Sequence, residues 1–403
     1  MDRERHKGFH DSLQEKMALE NDDFEGNGDF RISSQGAAAG KRASAIDDRF
    51  SFYLEGQVQS DDPKPLNPAE LNMEELRQLK EAAASAKQGH AKAQCILGLF
   101  YENGWGPLKK NDNEAYFWYK RAATQGFAAA QYNVGVFFEE GRGGLERDDA
   151  KAARWYRLAA DQSYARAQNN LAFFYEHGRA FVFKNEREAA NLYELAAKQG
   201  DTEAQCHLGS FYERGLGGFE QSDTEALFWY KRAASQQDAE GQCRVGRFLE
   251  LGRGGLERSP GEAIRMYKAA AAQGDAEAMH RVAEFYEHGR GGLERDDHLA
   301  ATWYRRAANL GYPDAQNQLG VMSEQGRGGL PRDARRAAEY FQQAAMGGSS
   351  DCMHNLAEMY SNGSGGLKQD PTEARRWSRR CDTLDAATAA AAPSAGGVGD
   401  WED

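Results

Sequence analysis

One pattern of residues returns every 37 residues over most of the chain. Each unit opens with a small residue, and neighbouring members of this column differ by 37 (130 − 93 = 37 and 352 − 315 = 37). The column comprises Ala93, Ala130, Ala167, Ala204, Gly241, Ala278, Ala315 and Cys352. A fixed period of about 20–50 residues is the signature of a stacked repeat array, in which each unit buries its apolar face against its neighbours. The pattern therefore predicts a solenoid, and it makes the identity of a partner the main functional question.

Each unit carries the pattern of two helices. In the second unit, Val134, Phe137 and Phe138 fall at helical spacing on one face. The glycine that ends this first helix recurs as Gly104, Gly141, Gly178, Gly215, Gly252, Gly289, Gly326 and Gly363. Capping residue types that begin the second helix recur as Asn111, Asp148, Asn185, Ser222, Ser259, Asp296, Asp333 and Asp370. We expect first helices near 91–103 and second helices near 112–125, repeated every 37 residues.

Large apolar residues form a column in the second helix. Its members are Trp118, Trp155, Leu192, Trp229, Met266, Trp303, Tyr340 and Trp377. They lie at helical spacing from two alanine columns, so we interpret them as packing residues and not as a ligand surface. Gly135 recurs as glycine or alanine in the middle of the first helix, which indicates the close approach of a neighbouring helix.

The sequence divides into four parts. Residues 1–66 are polar and acidic, with few aliphatic residues, and we predict that they are disordered. Residues 67–89 resemble a lone second helix and are predicted to cap the array, because solenoid ends need atypical units. Eight repeats follow over 90–384, and a disordered tail of low complexity is expected over 385–403. The aromatic segment 49–56 is an exception within the first part; it is either a linear motif or a segment that folds back on the array.

Composition excludes several classes of protein. The net charge of −12 argues against general nucleic-acid binding, which depends on neutralising phosphates. We expect no membrane insertion and no secretory signal, since no apolar run of sufficient length is present, and a cytoplasmic location. The 5 cysteines show no paired spacing in the repeats and suit a reducing compartment. Neither a metal nor a cofactor is expected, because one ligand per repeat, as at Cys206, Cys243 and His280, is too widely spaced to chelate.

The repeat resembles the Sel1-like repeat, a relative of the tetratricopeptide repeat. In the first unit the shared positions are Ala93, Leu97, Gly98, Tyr101, Gly104, Gly106, Asp112, Ala115 or Tyr116, Trp118, Tyr119, Ala122, Ala123 and Gly126. The match covers about residues 90–382. The resemblance implies an all-α, right-handed α-solenoid of helix-turn-helix units with a 37-residue period, and the role of an adaptor or scaffold in a protein complex.

By analogy with tetratricopeptide arrays, the concave face is formed by first-helix positions outside the core columns. We predict a groove for a protein or peptide partner with apolar contacts from Leu99, Tyr132, Val136 and Phe173. Asn169 is expected to hydrogen-bond the backbone of this ligand. The groove should be apolar in its first three repeats and charged in later ones.

A column of glutamates runs beside this groove, and it has two interpretations. As a free negative stripe, Glu102, Glu139 and Glu176 would favour a basic ligand and act mainly on its association rate. Alternatively, each glutamate pairs with a nearby arginine of the glycine-rich loops, such as Arg142 or Arg253. The apolar loop insertion at 181–183 also has two interpretations: it is either a site for a partner or a segment that packs under a bend of the array.

No catalytic arrangement is evident, and we predict that the chain is not an enzyme. Nucleophile-elbow, Walker, zinc-protease and kinase motifs are all absent from the sequence. The expected role is a scaffold that assembles a complex through the groove. An alternative is a regulatory subunit that activates a partner enzyme of the ubiquitin-ligase or cell-wall-synthase type. A third reading, a β-lactamase-like hydrolase, is disfavoured because the paired repeat cysteines of such relatives are absent.

Overall fold

The computed structural model describes residues 73–105, 108–180 and 183–391, and all regular structure in this part is α-helical. Its seventeen helices are α1 (Met73–Lys87), α2 (Ala91–Asn103), α3 (Asp112–Thr124), α4 (Ala128–Glu140), α5 (Asp149–Ala160), α6 (Ala165–His177), α7 (Glu186–Lys198), α8 (Thr202–Arg214), α9 (Asp223–Ser235), α10 (Ala239–Leu251), α11 (Pro260–Ala272), α12 (Ala276–His288), α13 (Asp297–Asn309), α14 (Pro313–Gln325), α15 (Ala334–Met346), α16 (Ser350–Asn362) and α17 (Pro371–Ala391). Helices α2 to α17 form eight pairs, each pair one repeat. The all-α repeat prediction and the predicted helix positions are confirmed.

A single helix stands at the beginning of the array, and a helix longer than the others ends it. Helix α1 packs on α2 through buried Leu79, Ala82 and Ala86. The predicted disordered part, the segment 49–56 and the first residues of the predicted capping helix lie outside the described residues. At the other end, α17 continues to Ala391, past position 385 where we expected the tail to begin. The alanine-rich sequence after 385 has high helix propensity, which explains why the helix continues past this position.

The predicted helix boundaries rest on the expected local chemistry. All eight glycines that follow the first helices are left-handed, with φ between 62° for Gly178 and 71° for Gly326. Seven of the eight capping residues accept backbone N–H bonds, as Asp148 does from the amide of Lys151 at 2.9 Å. The exception is Ser259, whose side chain makes no capping bond.

The deepest part of the core is a tyrosine column that lies one position after the predicted tryptophan column. Six tyrosines are fully buried: Tyr119, Tyr156, Tyr193, Tyr230, Tyr267 and Tyr304. Among the tryptophans, Trp118 and Trp229 are buried, whereas Trp155 is only half-buried. The packing column therefore lies on the second helix, as predicted, but its most deeply buried members are the tyrosines and not the neighbouring tryptophans.

Gly135 shows how closely the two helices of a repeat approach each other. A Cβ at this glycine would lie 2.6 Å from Cε1 of Tyr156, as one at Gly98 would lie 2.6 Å from Cδ1 of Tyr119. The expected close approach is thus made by the buried tyrosine ring of the second helix. Ala172 stands at the same position in the third repeat, so glycine is a local adjustment and not a requirement of the fold.

A ladder of glutamine amides joins consecutive repeats. Gln131 donates from Nε2 to the carbonyl of Ala123 in the preceding repeat, and its Oε1 accepts from Nε2 of Gln162 at 2.7 Å. The same pair of bonds links Gln168 with Ala160 and Gln199. Because a buried amide costs free energy when it lacks partners, this ladder favours one relative placement of neighbouring repeats.

Candidate functional site

Two adjoining clefts lie between the first helices α4, α6 and α8, and we call them together the groove. The smaller cleft, of about 250 Å³, is lined by Tyr132, Arg166, Asn169, Asn170, Asp201, Thr202 and Glu203. The larger cleft, of about 620 Å³, is lined by Tyr132, Val136, Glu139, Glu140, Arg147, Tyr156, Asn170, Arg179 and Glu203. The structure thus brings together four of the predicted site residues: Tyr132, Val136, Asn169 and Glu139.

The other predicted apolar residues, Leu99 and Phe173, line neither cleft. Leu99 is partly buried and packs on the core of the first repeats. The ring of Phe173 lies 4.1 Å from the ring of His177, centroid to centroid, and the Arg179 guanidinium lies 5.8 Å from its centroid. The ring of His207 in the next repeat lies 6.3 Å from that of Phe173, so residues of two repeats cover part of this side chain and reduce the surface that a ligand can contact.

Tyr132 forms the apolar centre of the groove. Its ring centroid lies 5.4 Å from that of Tyr164 and 5.7 Å from that of Tyr156. Burial raises the pKa of Tyr132 to about 12, so the hydroxyl stays protonated and neutral at physiological pH. Rings in this arrangement offer a ligand an apolar surface with a hydroxyl that donates or accepts.

Among the described residues, seven buried side chains have a polar atom without a hydrogen-bond partner, and Asn169 is the one of them that lines either cleft. It is only 2 % exposed, and its Oδ1 has no hydrogen-bond partner among the described residues. A buried amide without a partner costs about 1–3 kcal/mol, and such groups are rare in folded proteins. Asn169 lines the smaller cleft but its Oδ1 is almost fully covered, so a ligand in this cleft supplies the absent partner only when the neighbouring side chains shift.

Acidic residues border the same cleft at the start of α8. Asp201 caps this helix by accepting from the amide of Ala204 at 2.9 Å, and it is 5 % exposed. Burial raises the pKa of Asp201, and desolvation also raises the pKa of Glu203, with a further contribution from Asp201. The two carboxylates therefore gain from any additional hydrogen-bond donor or positive charge.

Sequence reasoning missed this acidic border, although the signal is present. An Asp-x-Glu pair recurs at the 37-residue spacing in three consecutive repeats, as Asp201-Thr-Glu203, Asp238-Ala-Glu240 and Asp275-Ala-Glu277. In the later repeats an arginine forms ion pairs with these carboxylates: Arg244 lies 3.2 Å from Glu240 and 4.0 Å from Glu277. The clefts are already lined by charged residues of the second and third repeats, such as Glu139 and Arg166, so the expected apolar character of the first three repeats is not seen there. Much of the charge in later repeats is paired internally.

The glutamate column makes a different set of contacts from a free negative stripe. Glu102 accepts a bond from the Tyr119 hydroxyl at 2.7 Å and another from Nη1 of Arg142 at 3.0 Å. The same guanidinium reaches Asp112 at the start of α3, at 3.0 Å from Nη2. We call this contact, in which a loop arginine holds the glutamate and the acidic residue of the preceding repeat, an arginine clasp.

Arginine clasps recur at five junctions between repeats. They are Arg142 on Glu102 and Asp112, Arg179 on Glu139 and Asp149, Arg253 on Glu213 and Asp223, Arg290 on Glu250, and Arg327 on Glu287 and Asp297. Hydrogen bonding from Arg142 lowers the pKa of Asp112, as expected for a carboxylate in a charge-assisted bond. At the fifth and sixth repeats Pro260 replaces the second acidic residue, and Nε of Arg290 is left without a partner.

These contacts decide between the two interpretations of the column. Glu102 and Glu139 are engaged by arginines, so the free stripe is wrong at these two residues. Glu176 differs: its Oε2 accepts from Tyr193 at 2.8 Å, but no arginine reaches it in the described part of the chain. The reason is a substitution in the next loop, where Leu216 stands in place of the arginine.

Other candidate features contribute less to a site. Phe183 is 92 % exposed, whereas Phe181 and Val182 of the same loop lie outside the described residues. Cys95, Cys206, Cys243 and Cys352 are buried free thiols. No group of three or more potential metal ligands converges within the described residues.

Comparison with known proteins identifies the repeat. The family description "Sel1 repeat" matches eight consecutive segments, namely residues 91–127, 128–164, 165–201, 202–238, 239–275, 276–312, 313–349 and 350–380. The solved structure of a Sel1 repeat protein from Oxalobacter formigenes is 29% identical, covers 77% of this chain and 87% of its own, and has a TM-score of 0.51.

A second solved structure is that of c5321, a protective antigen of uropathogenic Escherichia coli that displays an SLR fold. It is 28% identical, with 82% of this chain and 74% of the other covered and a TM-score of 0.49. No curated protein sequence matches the chain. Within the described residues, none of the helices combines the length and apolar character needed to cross a bilayer.

Proposed function

The chain belongs to the Sel1 repeat family, and from that premise we propose that it binds an extended or helical peptide of a partner protein in the groove. Members of this family are generally protein-interaction scaffolds. The proposal rests above all on Asn169, a buried amide that lacks a hydrogen-bond partner and lines a cleft. A peptide backbone carries the donors and acceptors that such an amide needs.

The remaining groove residues give the peptide an apolar and charged environment. Tyr132 and Val136 offer apolar contact in the larger cleft, and Leu99 and Phe173 extend it on either side. Asp201 and Glu203 favour a peptide with basic residues, because each carboxylate gains from a positive neighbour. The preference for a basic partner thus depends on these residues and on Glu176, and no longer on Glu102 or Glu139.

We assign no catalytic activity to the chain, in line with the typical non-catalytic role of the family. As a scaffold, the chain would assemble a protein complex. A regulatory subunit would bind its partner enzyme in the same groove, and the result of binding would be activation of that enzyme. Its five free cysteines, four of them buried, suit a reducing compartment such as the cytoplasm.

A substitution at Asn169 separates binding from folding. We propose to pan random peptides displayed on phage against the full chain and to compare the wild type with Asn169→Leu. Leucine has the same branched heavy-atom skeleton as asparagine, although it is larger, and it removes the unpartnered amide, so the variant should melt at a higher temperature while it loses the selected peptides. The opposite signs distinguish a functional amide from a structural one.

Apolar contact is tested in parallel. Val136→Ala combined with Phe173→Ala should weaken the selected peptides at least tenfold with a similar melting temperature, and Val321→Ala, at the same repeat phase in the seventh repeat, is the matched control. Binding that survives both Asn169→Leu and the double variant would rule out the groove. A lower melting temperature in Asn169→Leu would show that the amide is satisfied in the free protein.

A further inference from the structure

The junction between the third and fourth repeats has the two acidic groups of an arginine clasp but no arginine. Glu176 and Glu186 occupy the positions that Glu102 and Asp112 hold at the first junction (176 − 102 = 74 and 186 − 112 = 74, two periods). Leu216 takes the place of the loop arginine. Leucine carries no hydrogen-bond donor, so both glutamates lack the guanidinium that holds their counterparts elsewhere.

The loop around Leu216 is otherwise built like the loops that carry an arginine. A Cβ on Gly217 would lie 3.2 Å from Cδ1 of Phe211, and one on Gly143 would lie 3.1 Å from Cδ1 of Phe137. Where the arginine is present, its guanidinium lies over this ring, at 4.6 Å from the Phe137 centroid for Arg142. The junction thus retains the loop backbone and the ring from the fourth repeat and the two carboxylates from the third.

We propose that an arginine side chain of the partner peptide binds at this junction and completes the missing clasp. This proposal rests on the proposed function and specifies the ligand of the groove. The occupied clasps show what the site would offer: Nη1 of Arg179 lies 2.8 Å from Glu139, and Nη2 lies 2.9 Å from Asp149. The equivalent bonds to Glu176 and Glu186 would be made in trans.

The position of Asn169 on α6 links the junction to the groove, because Asn169 and Glu176 lie on the same face of this helix. Asn169, Phe173 and Glu176 lie four and three residues apart, on one face of α6. The rise between Asn169 and Glu176 is about 10 Å at 1.5 Å per residue, which about three residues of an extended peptide span. A peptide whose backbone satisfies the buried Oδ1 of Asn169 therefore has an arginine within reach of Glu176.

The chemistry favours arginine over lysine. Two carboxylates on different helices match the planar fork of a guanidinium, whereas an ammonium is a compact point charge. Lys184 lies 2.7 Å from Glu186, but its side chain is 63 % exposed, and such surface pairs contribute little. An incoming guanidinium can therefore share Glu186 without the loss of a strong internal bond.

The test uses peptides selected on the full chain from the random library. Each peptide is synthesised with its arginine, with lysine and with citrulline, which has the shape of arginine but no charge, and is titrated by calorimetry. The proteins are the wild type, Glu176→Gln, Leu216→Arg and the control Glu324→Gln. Glutamine at 176 still accepts the Tyr193 hydroxyl, and Glu324 belongs to the same column but has no second acidic residue, since Ala334 stands there.

We expect arginine in the selected peptides and at least a tenfold loss of affinity with citrulline on the wild type and on Glu324→Gln. That loss should shrink to about twofold on Glu176→Gln, because the partner of the charge is gone. Leu216→Arg, which fills the site internally, should weaken the arginine peptide about as much as citrulline does. Circular dichroism of the variants verifies that they are folded.

Two results would overturn the proposal while the groove stands. One is a set of selected peptides that depend on Asn169 but contain no arginine. The other is a citrulline penalty of equal size on the wild type and on Glu176→Gln. If the selected peptides depend neither on Asn169 nor on Val136 and Phe173, the groove itself is wrong and the arginine site fails with it.

Discussion

Two neighbouring junctions use the same acidic residues in different ways. Between the second and third repeats, Glu139 and Asp149 are held by Arg179. Between the third and fourth, Leu216 stands at the arginine position, and no arginine pairs with Glu176 or Glu186 in the described structure. The comparison teaches that a residue column in a repeat protein need not have one role. The same glutamate is part of the scaffold in one repeat and available to a ligand in the next.

The largest expected effect on stability comes from the buried tyrosine that both junctions contain, Tyr156 in one and Tyr193 in the other. Tyr156→Ala and Tyr193→Ala each remove a fully buried ring and its bond to the glutamate, and each should cost about 3–5 kcal/mol of stability. Urea titration with the half-buried Trp155→Ala as a reference measures this, and the tryptophan variant should lose clearly less. Equal losses for Trp155 and Tyr156 would show that the tyrosine column is not the deepest part of the core.

Removal of an existing clasp should have a smaller effect. Arg179→Leu makes the second junction resemble the third and leaves two partly buried carboxylates without their partner, at a cost of about 1–2 kcal/mol. Amide hydrogen exchange should show faster exchange in α5 and α6, with little change in α12. Unchanged amide exchange rates in α5 and α6 would mean that the clasps are surface ion pairs that do not stabilise the junction.

Installation of the absent clasp should give a still smaller gain. Leu216→Arg is expected to stabilise the chain by about 0.5–1 kcal/mol, since the new guanidinium meets two carboxylates but the leucine contacts are lost. The melting temperatures of Leu216→Arg and Leu216→Gln, an uncharged control, measure the difference. A destabilised arginine variant would mean that the third junction lacks the geometry of the others.

The smallest effect is a difference in pH dependence. The pKa of Asp112 is lowered from 3.8, so its clasp stabilises the protein above that value and is lost as the pH falls through the lower folded pKa. The pKa of Asp201 is raised from 3.8, so its contribution is present below that value and is lost as the pH rises through the folded pKa.

Two substitutions test these opposite signs. Asp201→Asn keeps a good helix cap and should gain stability relative to the wild type as the pH rises from about 4 to 7. Asp112→Asn should lose stability over the part of that range just above 3.8. Melting temperatures across the range report both, and parallel profiles for the two variants would contradict the assigned pKa shifts.

Much of the fold could be predicted because its determinants are local. The left-handed glycines, the caps and the helical spacing each depend on a few neighbouring residues, and the exact period repeats the signal eight times. The state of the glutamate column could not be settled in this way. Glu102 and Arg142 are 40 residues apart, and only the stacking of repeats brings them together. The sequence does contain the clue that Leu216 breaks the arginine column, but its meaning depends on that contact.

The groove was predictable in outline for a related reason. First-helix phases locate Tyr132, Val136 and Asn169 on one surface, and the structure places all three in the two clefts. Burial of an individual side chain is set by its neighbours and not by its phase. For this reason the burial of Trp155 and the exposure of Phe173 were both overestimated from the sequence. The unpartnered amide of Asn169 can likewise be recognised only from the three-dimensional structure.

An exchange of the two junctions tests the central claim most directly. Arg179→Leu combined with Leu216→Arg moves the vacant clasp by one repeat and leaves the composition unchanged. The account predicts that the arginine-to-citrulline penalty of a bound peptide then depends on Glu139 and no longer on Glu176, as calorimetry with Glu139→Gln and Glu176→Gln added to the exchanged chain would measure. If the penalty still depends on Glu176 after the exchange, the vacant clasp is not the arginine site.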